Sequence, residues 1–356
     1  MTKIAINGFG RIGRLFLRQA IELSFRQAQG EPELEIVAIN DLGNLENLAY
    51  LLKYDSTYRQ FPGEVSFEGD PLTGSGKIII SGKGIKFISE KDPTKLPWKD
   101  LGVDIVVEST GVFETFEKSK AHINAGAKRV VLTAPAKDAD GTFGRTILVG
   151  MNEGEIKSFE ITSNASCTTN ATSPVIAIMA ETIGIEKAIL STVHAMTNTQ
   201  TVVDTAVRGG DFRRGRAASH NIIPSTTGAA IAVTKVYKDL EGKFDGIAMR
   251  VPVITGSIAD ITFVAKRKTS TEEIKEIFKK AAESEQWKGI LKVTEDQIVS
   301  SDIIGQPYGA IVDLKFTKVI DGDLVKILSW YDNEWGYTAM LVKHVLKAAE
   351  LITNGQ

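Results

Sequence analysis

One cysteine, Cys167, stands in the 356 residues of the chain. A lone cysteine is most often a small buried hydrophobe, but Ser166, Thr168, Thr169 and Asn170 surround this one with polar groups. It also precedes a stretch, 171–183, that reads as a helix, and the N–H groups at a helix start lower a thiol pKa. Pro174 within that stretch is expected to bend or restart the helix. Of the four histidines only His194 closes an apolar run, 188–193, and opens a polar one, 196–200. A strand-end imidazole can reach into a cleft, and a thiol with an imidazole makes a nucleophile with its base. His122, His220 and His344 lack that context and read as structural or surface residues. Anion donors form a third component: Ser166, Thr168, Thr197, Thr226, Thr227 and Gly228, with 223–228 running straight into a helix at 229–235 whose first N–H groups point outward. Arg250 ends a strand and carries the fork that grips phosphate, although a surface ion pair is the commoner fate of an isolated arginine. Two donor clusters suggest two anion pockets.

A second constellation opens the chain. Residues 3–7 read as a buried strand, followed by Gly8, Gly10 and Gly13 in a GxGxxG turn and a helix through Leu15, Phe16, Leu17 and Ile21. Gly8 permits the tight turn, Gly10 lets the backbone approach a pyrophosphate, and Gly13 lets helix and sheet pack closely. A second strand, 34–39, ends at Asn40 and Asp41. An acid there accepts hydrogen bonds from the adenosine ribose and repels a 2′-phosphate, which favours NAD over NADP. Asp41 lies 28 residues after Gly13, beyond the usual spacing of about twenty. The stretch 27–33, polar and with Gly30 and Pro32, reads as the loop that closes the helix, and the polar 24–33 segment accounts for the excess.

These residues need elements to hold them. A helix is expected over 44–54, short antiparallel strands with glycine turns over 64–90, strands at 103–107, 129–132 and 146–149, and a helix at 119–126. Strands alternating with helices describe a doubly wound parallel sheet, the Rossmann arrangement. After Cys167 the pattern changes. Runs at 188–194, 246–253, 257–267, 310–318 and 324–331 suggest an antiparallel sheet, with helices at 270–284 and 337–352. The fold class is therefore α/β, a Rossmann domain joined to an α+β domain with a mainly antiparallel sheet. Length alone suggests two domains or three. With 42 basic and 44 acidic side chains the formal charge is −2, which argues against a nucleic-acid binder. The basic run RGGDFRRGR at 208–216 lacks interleaved aromatics and does not change that reading. One cysteine excludes an intramolecular disulfide and a thiolate zinc cage. No stretch approaches the roughly 20 apolar residues of a membrane span, and no leader is visible, so a cytoplasmic setting is expected.

The runs INGFGRIGR at 6–14, INDL at 39–42, LLKYDS at 51–56, ESTG at 108–111, ASCTTN at 165–170, HAMTN at 194–198, IPSTTGAA at 223–230, MRVP at 249–252 and SWYDNEWGY at 329–337 together resemble the phosphorylating glyceraldehyde-3-phosphate dehydrogenase family over essentially the whole chain. The resemblance implies an NAD-binding domain, 1–166, completed by a C-terminal helix, 332–356, and a catalytic domain, 167–331, assembled as a homotetramer. It implies that Arg11 and Ile12 offer backbone N–H groups to the pyrophosphate with Gly8, Gly10 and Gly13. Asp41 holds the ribose, Lys91 and Thr133 line the groove, and Asn333 fixes the nicotinamide carboxamide. It assigns Cys167 and His194 to catalysis, and Thr197 and Arg250 to the phosphate of glyceraldehyde 3-phosphate. Ser166, Thr168, Thr227, Gly228 and Arg214 fall to inorganic phosphate and the acyl centre.

Several positions depart from the family pattern. The 24–33 segment is long, and the 204–216 loop is about two residues longer than usual, with Ala206 where proline is frequent, so use of NADP stays open. Ile231 replaces a common lysine, and Thr255 and Gly256 replace a usual Asn-Val pair. Erythrose-4-phosphate dehydrogenase, with water as acyl acceptor, and a non-catalytic NAD-binding regulatory protein are the alternatives.

Overall fold

The computed structural model describes residues 1–26, 33–70, 75–207, 210–353 and 355, the side chains of 24–26 excepted. The expected 27–33 loop, the turn at Gly74 and Arg208 thus lie wholly or mostly outside the described residues. The chain divides into two compact units, Met1–Ala165 with Leu341–Gln356, and Ser166–Met340.

The first unit is built on β1 (Thr2–Asn7), α1 (Arg11–Arg26), β2 (Leu34–Asn40), α2 (Leu45–Lys53), β3 (Val65–Asp70), β4 (Ser75–Ile80), β5 (Lys83–Ile88), α3 (Trp98–Leu101), β6 (Ile105–Glu108), α4 (Phe116–Asn124), β7 (Arg129–Leu132), β8 (Arg145–Thr146) and β9 (Ile161–Ser163). One nine-stranded sheet runs β3-β4-β5-β2-β1-β6-β7-β9-β8. Strand β1 lies parallel between β2 and β6, so the strand order reverses at the end of β1, where the glycine turn begins. Ligands bind at such a switch point in an open α/β sheet. Both faces of the sheet are covered, which is why its central strands are continuously apolar. Ile4, Ile6, Ile39, Ile105 and Val107 pack on one side with Phe16 and Leu17 of α1 and with Leu341 and Val345 of the terminal helix. Ala5, Ala38, Val106 and Val130 face the other side with Trp98 and Phe116.

Three readings of this unit need correction. The glycine-rich strands are the edge of the main sheet, because β5 pairs parallel with β2 while β4 runs antiparallel to its neighbours. The strand expected over 146–149 shrinks to Arg145–Thr146, and buried Ile147 and Leu148 continue as irregular chain. Helix α4 starts at Phe116, three residues before the expected 119, because Thr115 caps it by accepting from the Lys118 N–H.

The second unit holds α5 (Cys167–Thr182), β10 (Ile185–Ala195), β11 (Ile223–Thr226), α6 (Ala229–Val236), β12 (Phe244–Val251), β13 (Ser257–Ala265), α7 (Thr271–Glu283), β14 (Leu291–Thr294), β15 (Ala310–Ile320), β16 (Leu324–Tyr331) and the first turns of α8 (Trp335–Thr353). Its seven strands run β11-β12-β10-β13-β16-β15-β14. All neighbours are antiparallel except β10 with β12 and β14 with β15. Strand β13 alternates strictly between buried and half-buried residues, the mark of a sheet with one covered face, and α5 packs against β13, β15 and β16. Helix α5 is continuous from Cys167 through Pro174. A proline forfeits one backbone bond, yet burial of nearly every side chain from Thr168 to Met179 holds the helix together. Strands β9, β11 and β14, three or four residues each, are not foreseen by the sequence pattern.

Candidate active site

The parallel pairing of β10 with β12 puts His194 directly opposite Arg250 at the strand ends. Cys167 is the first residue of α5, capped by Ser166, whose Oγ accepts the Thr169 N–H at 3.0 Å. Loss of such a cap costs about 1 kcal/mol. The chain arrives there through Ala165, at φ 54°, a left-handed conformation that a non-glycine residue adopts at some cost. Cys167 Sγ lies 3.3 Å from His194 Nε2. His194 Nδ1 lies 2.7 Å from the Ala195 carbonyl oxygen and 2.5 Å from an Arg250 guanidinium nitrogen. The nitrogen can donate to the first or accept from the second, but not both. Arg250 thereby selects the tautomer: while it donates to Nδ1, the proton sits on Nε2, and once it moves away Nε2 carries the lone pair that faces the sulfur.

Burial pushes the Cys167 thiol up, opposed by Arg250 and by the backbone N–H groups at the helix start. Burial pushes His194 down to about 3, and the charge of Arg250 adds to that. The expectation of a thiol simply lowered by its helix is therefore corrected: desolvation outweighs the helix end when each group is taken singly. A proton passed from Sγ to Nε2 nevertheless creates opposite charges 3.3 Å apart, and the same burial strengthens their attraction.

A hydroxyl chain backs the thiol. Thr192 donates to the Ile258 carbonyl at 3.1 Å and lies 2.8 Å from the Tyr331 hydroxyl, which lies 2.9 Å from Thr168 Oγ1. With the Thr192 proton spent on Ile258, Tyr331 must donate to Thr192 and Thr168 to Tyr331. The Tyr331 ring also stands edge-on to His194, centroids 5.9 Å apart, and burial holds its phenol protonated. Tyr331 and Thr192 are absent from the residues singled out by sequence. Thr192 had a signal, since it shares the inward face of β10 with His194 two residues on.

The anion donors separate into those the fold gathers and those it does not. Arg250 meets no carboxylate among the described residues and feels the like charge of Arg214, so the surface ion pair weighed for it does not form. Arg214 reaches Ser225 Oγ and Thr199 Oγ1, each at 3.3 Å, and Thr199 bonds Thr197 at 3.0 Å. Arg214 thus joins Thr197 in one network, across the division into two pockets drawn from sequence. Thr227 caps the start of α6 by accepting the Ala229 N–H at 3.2 Å, and Gly228 has open space where a side chain would be. Among the described residues of the basic loop, Arg213 and Arg214 both face Asp211, at 2.7 and 3.7 Å, and Arg216 pairs with Asp204 at 2.8 Å. Asn333 follows β16, with Oδ1 accepting from Ser257 Oγ at 2.9 Å and the Gly256 N–H at 3.1 Å.

In the first unit a cavity of about 550 Å³ opens beside the glycine turn, lined by Gly8, Gly10, Asn40, Asp41, Lys91, Ser109 and Thr110 among others. Gly8, at φ +96°, has the Ser109 and Thr110 backbone 2.6 Å from where a Cβ would stand, so no other residue fits. Gly10 has nothing within 4 Å of that point, which leaves the backbone bare toward open space. A dinucleotide pyrophosphate fits such a cradle. Asp41 is already oriented by the Phe9 and Gly43 N–H groups, at 2.6 and 2.7 Å. The Arg11 side chain turns to Asp55 and Ile12 packs on the core, so only their backbones are available to a ligand. Thr133 follows β7, its N–H on the Glu108 carbonyl at 3.0 Å. His122, read from sequence as structural or surface, is fully buried and lies 3.0 Å from Glu108, a structural position.

A doubly wound sheet with a glycine-turn cavity, and a second unit carrying a thiol, an imidazole and an unpaired guanidinium, define the class of thiol-dependent dinucleotide dehydrogenases. The family models agree in detail. Residues 2–116 match the "Glyceraldehyde 3-phosphate dehydrogenase, NAD binding domain" and residues 166–333 the "Glyceraldehyde 3-phosphate dehydrogenase, C-terminal domain". The chain is 46% identical to "Glyceraldehyde-3-phosphate dehydrogenase" of Clostridium pasteurianum over 347 residues, covering 96% of this chain and 97% of the relative. It is 48% identical to the protein of the same name from Thermotoga maritima over 343 residues, with 96% and 97% covered. "Glyceraldehyde-3-phosphate dehydrogenase B" of Aspergillus oryzae is 44% identical over 338 residues, with 95% of each chain covered. The chain belongs to the glyceraldehyde-3-phosphate dehydrogenase family. No helix among the described residues is long and apolar enough to cross a membrane.

Proposed function

We propose that this chain oxidises glyceraldehyde 3-phosphate to 1,3-bisphosphoglycerate with inorganic phosphate, through a thioester on Cys167. The observation that carries the reading is the Sγ to Nε2 approach of 3.3 Å with an unpaired Arg250 on the far side of the same imidazole. Substrate phosphate, held by Arg250 and Thr197, draws the guanidinium off Nδ1. His194 then donates Nδ1–H to the Ala195 carbonyl and presents Nε2 as base. The thiol proton passes to Nε2, and sulfur attacks the aldehyde carbon. The resulting oxyanion is met by the Cys167 N–H and by Nε2–H, which protonates it. NAD, held by the backbone of Gly8 to Gly13 with Asp41, Lys91, Thr133 and Asn333, supplies the hydride acceptor when bound. His194 removes the hydroxyl proton as the thioester forms. Inorganic phosphate, gathered by Ser166, Thr168, Thr227, Gly228 and Arg214, attacks the acyl carbon, and Cys167 leaves as thiolate.

A homotetramer in the cytoplasm completes the reading. Ile189, Ile247 and Phe316 are at least half exposed on the second unit's strands, which suits contact with another subunit. The decisive experiment mixes protein, aldehyde and NAD without phosphate, then searches Cys167 for an acyl adduct by mass spectrometry. Phosphate should discharge the adduct, and absence of any adduct overturns the assignment. Oxidation of a four-carbon sugar phosphate without phosphate would move the chain to the erythrose-4-phosphate reaction. NAD and NADP assayed side by side decide the cofactor preference.

A further inference from the structure

We propose that Ser257 is a positioning residue for both halves of the second unit's site, fixing which end of the Asn333 carboxamide faces a ligand and tying that amide to the strand end that carries His194. The inference rests on the reading that Asn333 meets the nicotinamide carboxamide.

Ser257 opens β13 and is 1% exposed. Its Oγ accepts the Ala195 N–H at 3.0 Å and stands 2.9 Å from Asn333 Oδ1. The single hydroxyl proton goes to Asn333, because that oxygen can only accept. Asn333 Oδ1 receives two more donors, the Gly256 N–H at 3.1 Å and the Thr255 hydroxyl at 3.3 Å. Thr255 stands closer to the Asp332 carboxylate, at 3.1 Å. Its one proton favours that stronger acceptor, which leaves Ser257 as the main side-chain anchor. The Ser257 hydroxyl and the Gly256 N–H both aim at this one oxygen, so the reversed amide would set N–H against N–H. The orientation is thereby assigned by chemistry. The Asn333 Nδ2 group is left with no acceptor among the described residues, on a side chain only 5% exposed. That donor is reached by solvent in the free protein and can be met there by a ligand carbonyl oxygen.

Residue Ala195 supplies the second link. Its N–H rests on Ser257, and its carbonyl oxygen lies 2.7 Å from His194 Nδ1, ready to accept from it when Arg250 moves away. One hydroxyl thus connects the imidazole, through a single residue, to the amide that selects the ligand. Gly256 contributes because its φ of +94° turns its N–H onto Asn333, and a Cβ there would stand 2.4 Å from the Ser300 carbonyl oxygen.

The test is binding, measured calorimetrically on the full protein without substrate, using NAD and its 3-acetylpyridine analogue. The analogue keeps the carbonyl oxygen and replaces the amide nitrogen with a methyl group. In the parent protein Nδ2 donates to that oxygen in both. In Ser257→Ala the Asn333 amide is free to turn, and the turned oxygen finds an N–H donor in NAD but a methyl in the analogue. The analogue's affinity should fall about fivefold more than that of NAD. Ser257→Cys, with a weak donor of similar size, should fall between and serves if the alanine variant does not fold. In the same variants the rate of Cys167 alkylation against pH should shift, as Ala195 loses its anchor. Equal weakening of both dinucleotides, or an unmoved alkylation profile, overturns the inference. Asn333→Ala separates the two levels: weaker NAD binding there with no Ser257 effect spares the reading of Asn333, and unchanged NAD binding removes that reading and the inference with it.

Discussion

The glycine turn of the first unit and the thiol site of the second are built from different materials. At the turn the working groups are backbone. Gly8 and Gly10 lie within three residues of each other, and what matters is the absence of side chains. At the thiol site the working groups are side chains brought from α5, β10, β12, β13 and β16, and hydroxyls decide where each proton points. The first is local in sequence and tolerant of its distant neighbours. The second depends on strand register, since a slip of one residue in β10 would turn His194 and Thr192 to the other face together.

The contrast is sharpest at Cys167. Replacing it with alanine should remove turnover, a loss of about 10⁴-fold or more, while calorimetric NAD affinity stays near that of the parent. Strong loss of NAD binding would show that the two regions are not separable in this way. His194→Asn should come next. Asparagine takes no proton, so the thiol is left with the burial that raises its pKa, opposed only by Arg250 and the helix start. Iodoacetamide labelling at neutral pH should slow by about tenfold to a hundredfold, and its pH profile should move to higher pH. An unmoved profile would mean that Cys167 passes its proton elsewhere.

The backbone region is tested by paired glycine substitutions. Gly8→Ala forces a Cβ to within 2.6 Å of the Ser109 and Thr110 backbone at positive φ, and should cost several kcal/mol of stability, read as a lower melting temperature. Gly10→Ala meets nothing within 4 Å, so the melting temperature should hold while NAD affinity falls about tenfold or more. If Gly10→Ala binds NAD normally, the open space beside it is not the pyrophosphate cradle.

What could be read from sequence follows the same division. The GxGxxG turn, Asp41 and the switch from helix-and-strand alternation to an all-strand pattern are short-range signals, and the structure carries them. Cys167 and His194 could be paired because each stands at an element end among residues of unlike polarity. Their consequence, the competition of Ala195 and Arg250 for Nδ1, could not, because it depends on β10 and β12 lying parallel with residue 194 opposite residue 250. Tyr331, Thr192 and Ser257 were passed over for a related reason. A hydroxyl on the inward face of a strand looks in sequence like a tolerated core residue, and its partner lies 62 to 163 residues away in the bonds seen here. Short strands such as β11 failed because four residues holding a proline carry too little periodicity to be seen.

The smallest effect expected is also the one that tests the side-chain lattice most directly. Tyr331→Phe keeps the ring edge against His194 and removes only the hydroxyl between Thr168 and Thr192. Thr192 keeps its bond to the Ile258 carbonyl, so its strand should stay in place. Thr168 loses its acceptor, and its proton is free to turn toward Cys167 Sγ, 4.0 Å away. A hydroxyl turned to sulfur stabilises the thiolate, so the alkylation profile should move slightly to lower pH, opposite in sign to His194→Asn. Stability should fall by about 1–2 kcal/mol for a buried hydroxyl network opened at one point, and kcat/KM should fall only severalfold. A loss near a hundredfold would give the phenol a direct part in the chemistry, and an upward shift of the profile would mean that Thr168 does not point where the chain of protons requires.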